Sequence, residues 1–264
     1  MVNIKRLGGF LIVVALGACA TSPLGRSQLI LFPESEMQQM GATAYQQMQR
    51  EIPRATTSEV TGYVQCVVNH VVRAMPGGNP AAWEITVFDD DQANAFALPG
   101  GKIGVYTGLL DVAENQDQLA TVVAHEVAHV TSKHSNERVS TNFVTQTGLQ
   151  LVQVAGGGNS PARQQLFGLL GVGAQVGILL PFNRAQESEA DLVGLDYMAN
   201  AGFDPRESVR LWENMGKAGG AKPPEFLSTH PSGDRRMRDL NARMRQAMDL
   251  SLRARSAGRN PDCR

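Results

Sequence analysis

The sequence has little of several features that mark particular classes of protein. Its 24 basic and 25 acidic residues nearly cancel, and no basic stripe is interleaved with aromatic residues, so nothing indicates a nucleic-acid partner. Low-complexity tracts, long charge runs and repeats of fixed period are all missing. The 264 residues, of which 42% are hydrophobic, can fill one core of ordinary size. We therefore expect one globular domain.

Long hydrophobic runs are also scarce. The run over 7–18 follows a short positive segment, is too short to span a bilayer and ends in small residues before Cys19. This pattern resembles a bacterial lipoprotein signal peptide, in which 1–18 would be removed and Cys19 lipidated. Ala20 follows in place of Asp, which by resemblance to enterobacterial lipoproteins favours the outer membrane, facing the periplasm of a Gram-negative bacterium. An ordinary signal peptide with a chance cysteine is the alternative.

Cysteine is rare, with three in the chain. If Cys19 carries a lipid, Cys66 and Cys263 remain. Two thiols in an oxidising periplasm favour a disulfide, which would tie the C-terminal tail to an early helix. Two unpaired cysteines are the alternative.

Hydrophobic periodicity predicts a mainly helical α+β fold with a small sheet. The segment after residue 94, NAFALPGGKIGVY, reads as strand, turn and strand, and a further strand is expected at 82–88. The glycine-rich stretch 166–182 has the spacing GxGxxxG, but no strand, turn and helix surround it as in a dinucleotide-binding motif. We expect this stretch to be a loop or helical hairpin over the functional site. Helices are expected at 35–52, 58–74, 116–134, 138–155, 184–200, 205–216 and 233–254.

The motif HEVAH, within TVVAHEVAHV, carries ionisable groups in an apolar helix. His125 and His129, at i and i+4, lie on one helix face and can present both imidazoles to one Zn²⁺ ion. Glu126 would reach past the metal to a water molecule as the catalytic base. The alternative, two core histidines beside a capping glutamate, requires coincidence in a chain with five histidines.

A catalytic zinc site needs a third protein ligand. The metzincin pattern HExxHxxGxxH is excluded, because Ser132 and Ser135 stand where its glycine and third histidine would be. His134 is out of register by one residue, and we expect it to cap the end of the helix.

The other common third ligand is a glutamate on a later helix, and the sequence RAQESEAD at 184–191 offers candidates. Glu187 and Asp191, at i and i+4, share a face, while Glu189 is turned away. Glu187 would ligate zinc, and Asp191 would accept the free N–H of a ligating histidine. A solvated acidic face is the alternative.

HEVAH, ESEAD and FLSTHPSGDRR together resemble the gluzincin metallopeptidase family that includes the CAAX prenyl endopeptidases, HtpX and the Oma-type proteases. The resemblance covers roughly 25–250. The chain is most similar to periplasmic lipoprotein members of the LoiP and BepA kind, although no TPR array follows. The resemblance implies a zincin-like metallopeptidase domain at 35–264 with one Zn²⁺ per chain, after a lipidated tether at 19–34.

The resemblance further implies an edge strand beside the HExxH helix. Unfolded or extended polypeptides would pair with this strand, formed by Asn94, Ala95, Phe96 and Ala97. His230 could stabilise the oxyanion or act as a fourth zinc ligand that keeps the enzyme latent, and a loop histidine that caps the last helix is the alternative. Arg235 matches the family pattern and is expected to pair with Glu187 or Asp191.

These expectations favour a zinc endopeptidase for quality control of misfolded or unassembled proteins in the periplasm and outer membrane. The alternative is a lipid-anchored chaperone or assembly factor, with a latched zinc site, that works with the outer-membrane protein assembly machinery. A peptidase of prenylated substrates would need a multi-span membrane chamber, which this chain lacks.

Overall fold

The structure is a computed structural model that describes residues 19–155, 181–218, 225–230 and 234–263. The expected signal peptide, 1–18, and nearly all of the glycine-rich stretch 166–182 lie outside the described residues. The described strands are β1 (Cys19–Thr21), β2 (Ser27–Leu29), β3 (Glu84–Phe88), β4 (Ala95–Leu98) and β5 (Lys102–Tyr106). The described helices are α1 (Glu34–Glu51), α2 (Ser58–Ala74), α3 (Thr107–Leu110), α4 (Gln116–Thr131), α5 (His134–Ala155), α6 (Arg184–Asn200), α7 (Glu207–Ala218), α8 (Glu225–Thr229) and α9 (Asp234–Ser256). The expected mainly helical α+β fold is confirmed.

A three-stranded sheet of order β3-β5-β4 packs beside the helices. Strand β5 is parallel to β3 and antiparallel to β4, so β4 lies at an edge of the sheet. Between β4 and β5 the chain turns through Gly100 and Gly101, both with positive φ, a conformation that favours glycine. The largest buried cluster joins one side of α2 to the sheet and to α4.

Helices α4 and α6 cross closely at the centre of the domain. Both begin at an asparagine cap: Asn115 accepts two backbone N–H groups of α4, and Asn183 forms a capping box with Gln186 of α6. At Gly194 of α6 a Cβ atom would lie 2.9 Å from the backbone nitrogen of His125. The absence of a side chain at this position lets the two helices approach.

The expected helix over 116–134 is wrong at its C-terminal end. Helix α4 ends at Thr131, the chain reverses at Lys133, whose φ is +56°, and α5 starts at His134. Periodicity did not reveal this break, because no glycine or proline marks it.

The segment 19–34, interpreted from the sequence as a tether, folds against the domain in the structure. Strands β1 and β2 form an antiparallel hairpin. The buried side chain of Gln28 donates to the carbonyl of Ser132 and to Glu137, and the backbone N–H of Leu31 donates to Ser140. Lipidation of Cys19 stays a prediction.

Cys66 and Cys263 form the expected disulfide, with their Cα atoms 5.6 Å apart. The side chain of Gln116 also holds the C-terminal tail, because it accepts the N–H of Cys263 and donates to the carbonyl of Pro261. Among the described helices, none is long and apolar enough to cross a membrane.

The helix crossing can be tested with Gly194→Ala. Its Cβ would press against the backbone of α4, so we expect the free energy of unfolding to fall by about 1–3 kcal/mol in urea denaturation. Gly216→Ala is the matched control, since this helical glycine has nothing within 4 Å of an added Cβ, and it should stabilise by up to about 1 kcal/mol. Equal effects at both glycines would contradict the close packing.

Candidate metal centre

Helix α4 brings its two predicted ligands together. His125 and His129 are one helical turn apart, are each 1% exposed, and have their Nε2 atoms 3.0 Å apart. Helix α6 adds Glu187, whose Oε2 and Oε1 lie 3.4 Å from Nε2 of His125 and of His129 respectively. The predicted i, i+4 face of α4 and the glutamate of the later helix therefore meet in one buried cluster.

His230, which follows α8, completes this cluster. Its Nδ1 is 3.2 Å from Nε2 of His125 and 3.1 Å from Oε1 of Glu187. One ligand atom from each of these four side chains lies within 4.8 Å of the others. The sequence alone left the role of His230 open between stabilising the oxyanion, acting as a fourth zinc ligand and capping the last helix.

The donor set of His125, His129, Glu187 and His230 fits a zinc ion. Ligand atoms around tetrahedral zinc with bonds of about 2.0–2.1 Å lie about 3.3 Å apart, and the contacts described above are 3.0–3.4 Å. Two ring nitrogens 3.0 Å apart need a proton or a metal cation between them, because two opposed lone pairs would repel. The cluster could therefore hold a metal ion.

Asp191 and Arg236 surround the ligands. Oδ1 of Asp191 lies 3.0 Å from Nδ1 of His125, which is the contact expected from the sequence. The buried guanidinium of Arg236 donates to Asp191 at 2.6 Å and to Glu187 at 2.7 Å, and it lies over the ring of Trp212. Arg236 thus neutralises part of the charge that the two carboxylates bring into the interior.

The prediction for Arg235 is wrong by one residue. Arg235 is exposed and pairs with Asp239 on its own helix. Arg236 occupies the position that was expected for Arg235, because Arg236 lies on the same face of α9 as the buried Leu240 and Ala247. This periodicity was available in the sequence and would have chosen correctly within the Arg-Arg pair.

The carboxylates and imidazoles shift one another's pKa values. Burial alone would lower the pKa of His125, but Asp191 and Glu187 raise it to about 9. Burial would raise the pKa of Glu187, yet hydrogen bonds from the three neighbouring histidines hold it well below its usual range. Burial also lowers the pKa of His129 well below its ordinary value. The carboxylates thus attract positive charge, which a proton on His125 or a divalent cation can supply.

Glu126 connects the cluster to the edge strand. Its Oε2 accepts the backbone N–H of Ala97 at 3.2 Å, and its Oε1 lies 3.4 Å from Nε2 of His230. Burial raises its pKa. Because the N–H of Tyr106 donates to the carbonyl of Asn94, alternate residues of β4 bond to β5, and the backbone groups of Ala95 and Ala97 face the free edge. The expected edge strand beside the HExxH helix is confirmed.

Aromatic rings enclose the histidines. Phe182 stacks on the ring of His129, with ring centroids 3.7 Å apart. The guanidinium of Arg138 lies over the same Phe182 ring, 3.8 Å from its centroid. Phe226 stacks on His230 at 4.3 Å. These contacts exclude water from the cluster and strengthen its electrostatic interactions.

The sequence interpretation of His134 as a cap is wrong. His134 begins α5 and is fully buried, with Nδ1 at 3.0 Å from Nδ1 of His129 and Nε2 at 3.1 Å from Glu189. Glu189 is turned away from the four ligand side chains, as expected, but it is buried. The helix break at Lys133 brings His134 to this place.

The family profile described as Peptidase family M48 matches residues 58–244. The chain is 39% identical to the mitochondrial metalloendopeptidase OMA1 of Schizosaccharomyces pombe over 182 residues, which cover 68% of this chain and 52% of that protein. It is 31% identical to the beta-barrel assembly-enhancing protease of Yersinia pestis over 218 residues, which cover 78% of this chain and 43% of that protein. The chain therefore spans about half the length of these curated relatives.

Zinc binding to the metal-free protein should release close to one proton between pH 7 and pH 8. His125, whose pKa is raised to about 9, is protonated there and must lose its proton to bind a metal. The release should therefore vanish as the pH rises through about 9. Isothermal titration calorimetry with zinc, in buffers of different ionisation enthalpy, measures the number of protons released. Asp191→Asn should reduce the release at pH 8, and a heat of binding that is independent of the buffer would contradict the prediction.

The two neighbouring arginines of α9 form a matched pair of variants. Arg236→Gln leaves two buried carboxylates without their cation, and we expect a loss of about 3–5 kcal/mol in the free energy of unfolding. Arg235→Gln changes an exposed side chain and should stay within about 0.5 kcal/mol of wild type. Urea denaturation of both variants measures the difference, and a larger effect at Arg235 would contradict the assignment.

Proposed function

The chain belongs to peptidase family M48, and on that premise we propose that it is a zinc endopeptidase. His125, His129 and Glu187 would hold the ion, and Glu126 would act as the catalytic base. The observation that carries this proposal is the convergence of buried ligand atoms from α4 and α6 beside the carboxylate of Glu126. A protein that serves only as a scaffold has no use for that base.

The proposed hydrolysis assigns a separate role to the metal ion, to Glu126 and to Ala97. When bound, zinc would polarise the scissile carbonyl and acidify a water molecule. Glu126 takes the proton of the attacking water and later gives it to the leaving amine. Its Oε2 is oriented by the N–H of Ala97, which leaves Oε1 for the proton. The burial that raises the pKa of Glu126 makes its carboxylate a stronger base.

The edge strand supports a polypeptide substrate. An extended segment that adds to β4 would bond to the outward-facing backbone carbonyls of Ala95 and Ala97, next to Glu126, and would need little sequence of its own. The N–H groups of these two residues are already donated to Asn94 and Glu126. Asn94 and Phe96 bond toward β5 and would support the edge strand rather than hold the substrate backbone. Misfolded or unassembled chains offer such extended segments, whereas folded ones do not.

His230 keeps the resting site closed in this proposal. Its Nδ1 lies among the ligand atoms, as a fourth metal ligand would, and this contact supports latching over the oxyanion role. Activation then requires His230 to leave the cluster so that water can enter. The same closed cluster favours the alternative function, an assembly factor or chaperone with a latched zinc site.

We place this activity at the periplasmic face of the outer membrane, with Cys19 as the lipid-bearing residue. The name of the Yersinia pestis relative, a beta-barrel assembly-enhancing protease, supports a connection to outer-membrane protein assembly. The proposed role is removal of misfolded or unassembled proteins in that compartment.

Digestion of casein or an unfolded outer-membrane protein tests the endopeptidase. Glu126→Gln should retain one zinc ion and lower the rate by about 10²–10⁴, because the base is lost while the ligands remain. His230→Ala should cleave faster than wild type, because loss of the imidazole leaves a position beside the metal ion open to water. Glu213→Gln, at an exposed glutamate of α7, is the matched control and should behave as wild type.

Each result separates the alternatives. If wild type and His230→Ala both stay inactive with one zinc ion bound, the endopeptidase is wrong and the chaperone is favoured. A slower His230→Ala enzyme would assign His230 the oxyanion role. If Glu126→Gln is as active as wild type, Glu126 is not the catalytic base.

A further inference from the structure

The ring of His134 lies directly behind the ring of His129, on the side away from the ligand atoms. Neither His134 nor Glu189 is among the four residues of the metal cluster. Both are nonetheless buried, at 0% and 4% exposure, and they form a chain of two contacts that leads outward from His129.

Hydrogen bonding gives this chain one direction when His129 ligates a metal. His129 then presents the lone pair of Nε2 to the ion, so its proton lies on Nδ1 and is donated to Nδ1 of His134. His134 accepts there and carries its own proton on Nε2, which it donates to Glu189. The reverse direction would put a proton on Nε2 of His129 and remove a ligand.

Glu189 is held in turn by the loop of the N-terminal hairpin. This β1–β2 loop, residues 22–26, supplies the backbone N–H of Leu24 to Oε1 and the Nε and Nη2 of Arg26 to Oε2, all at 3.1 Å. A buried carboxylate that loses such donors bears the full cost of desolvation. The loop therefore determines whether Glu189 can stay where His134 needs it.

We propose that Glu189 and His134 are positioning residues that hold His129 in the tautomer and orientation required for metal binding, and that the β1–β2 loop completes this relay. The proposal rests on the metal centre of the proposed function and extends it to residues outside the ligand set. It connects the segment that begins at Cys19 to a metal ligand through an unbroken series of hydrogen bonds.

Glu137 provides a matched comparison. It also pairs with the guanidinium of Arg26 and is buried, but its carboxylate accepts from Gln28 and Gln186 rather than from the ring of His134. Glu137→Gln should therefore weaken the contacts that hold the hairpin while the contacts among His129, His134 and Glu189 remain.

The test is zinc affinity, measured by competition with a chromophoric chelator on the full-length protein. Glu189→Gln and His134→Phe should each weaken zinc binding by about 10- to 100-fold. Arg26→Ala should weaken it less, because His134 and Glu189 remain. Glu137→Gln should bind within about twofold of wild type. The visible spectrum of the cobalt-substituted protein should change for the relay variants alone, since it reports the geometry at His129 and not the stability of the fold.

The outcomes distinguish this relay from the metal centre itself. If wild type binds no zinc, the proposed function falls. If wild type binds zinc and Glu189→Gln and His134→Phe bind equally well, the relay alone is wrong. Equal losses in Glu137→Gln and Glu189→Gln would also overturn it, because a general loosening would then explain both. Glu189→Gln keeps the size of its side chain and decides the matter if His134→Phe does not fold.

Discussion

The pairing of buried charges between α4 and α6 is the constraint on which the rest of the structure depends. A buried carboxylate needs a charged or hydrogen-bonding partner. Each partner in this network is a polar side chain that in turn needs a partner of its own. Glu187 is balanced by the imidazoles and by Arg236, and Arg236 fixes where α9 must lie. Gly194 lets the two helices approach closely enough for these pairs to form. A metal ion would complete this network rather than stand apart from it.

The proposed catalytic base, Glu126 on α4, is hydrogen-bonded to the proposed substrate strand, β4. The N–H of Ala97 that orients Glu126 belongs to the edge strand on which a polypeptide would lie. A chain that adds to β4 therefore acts on the strand that positions the base. The same neighbourhood contains Nε2 of His230, so a substrate, the base and the proposed latch occupy adjoining places. In the proposed enzyme, binding of an extended chain would therefore take place next to the residue that must move to open the cluster.

Local spacing predicted the part of the site that lies within single helices. The i, i+4 relations of His125 with His129 and of Glu187 with Asp191 follow from helix geometry, and the structure brings both pairs together. His134 could not be placed in this way, because its position depends on a reversal at Lys133 that no breaker residue signals. The hairpin at β1 and β2 was missed for a related reason, since its stability comes from Ser132 and Glu137, more than a hundred residues away. Arg236 differs from these, because the helical periodicity of α9 alone puts it in phase with the buried Leu240 and Ala247.

The folded hairpin leaves the chain almost no slack between its proposed anchor and its body. A free tether of 15 residues would allow a reach of about 50 Å from the bilayer. Strand β1 instead begins at Cys19 itself, already paired to β2. A lipid on Cys19 would therefore set the height of the metal centre above the membrane by protein geometry. A protein anchored in this way would act at a fixed distance from the membrane, and its polypeptide substrates would be selected by how far they protrude from the surface as much as by their sequence.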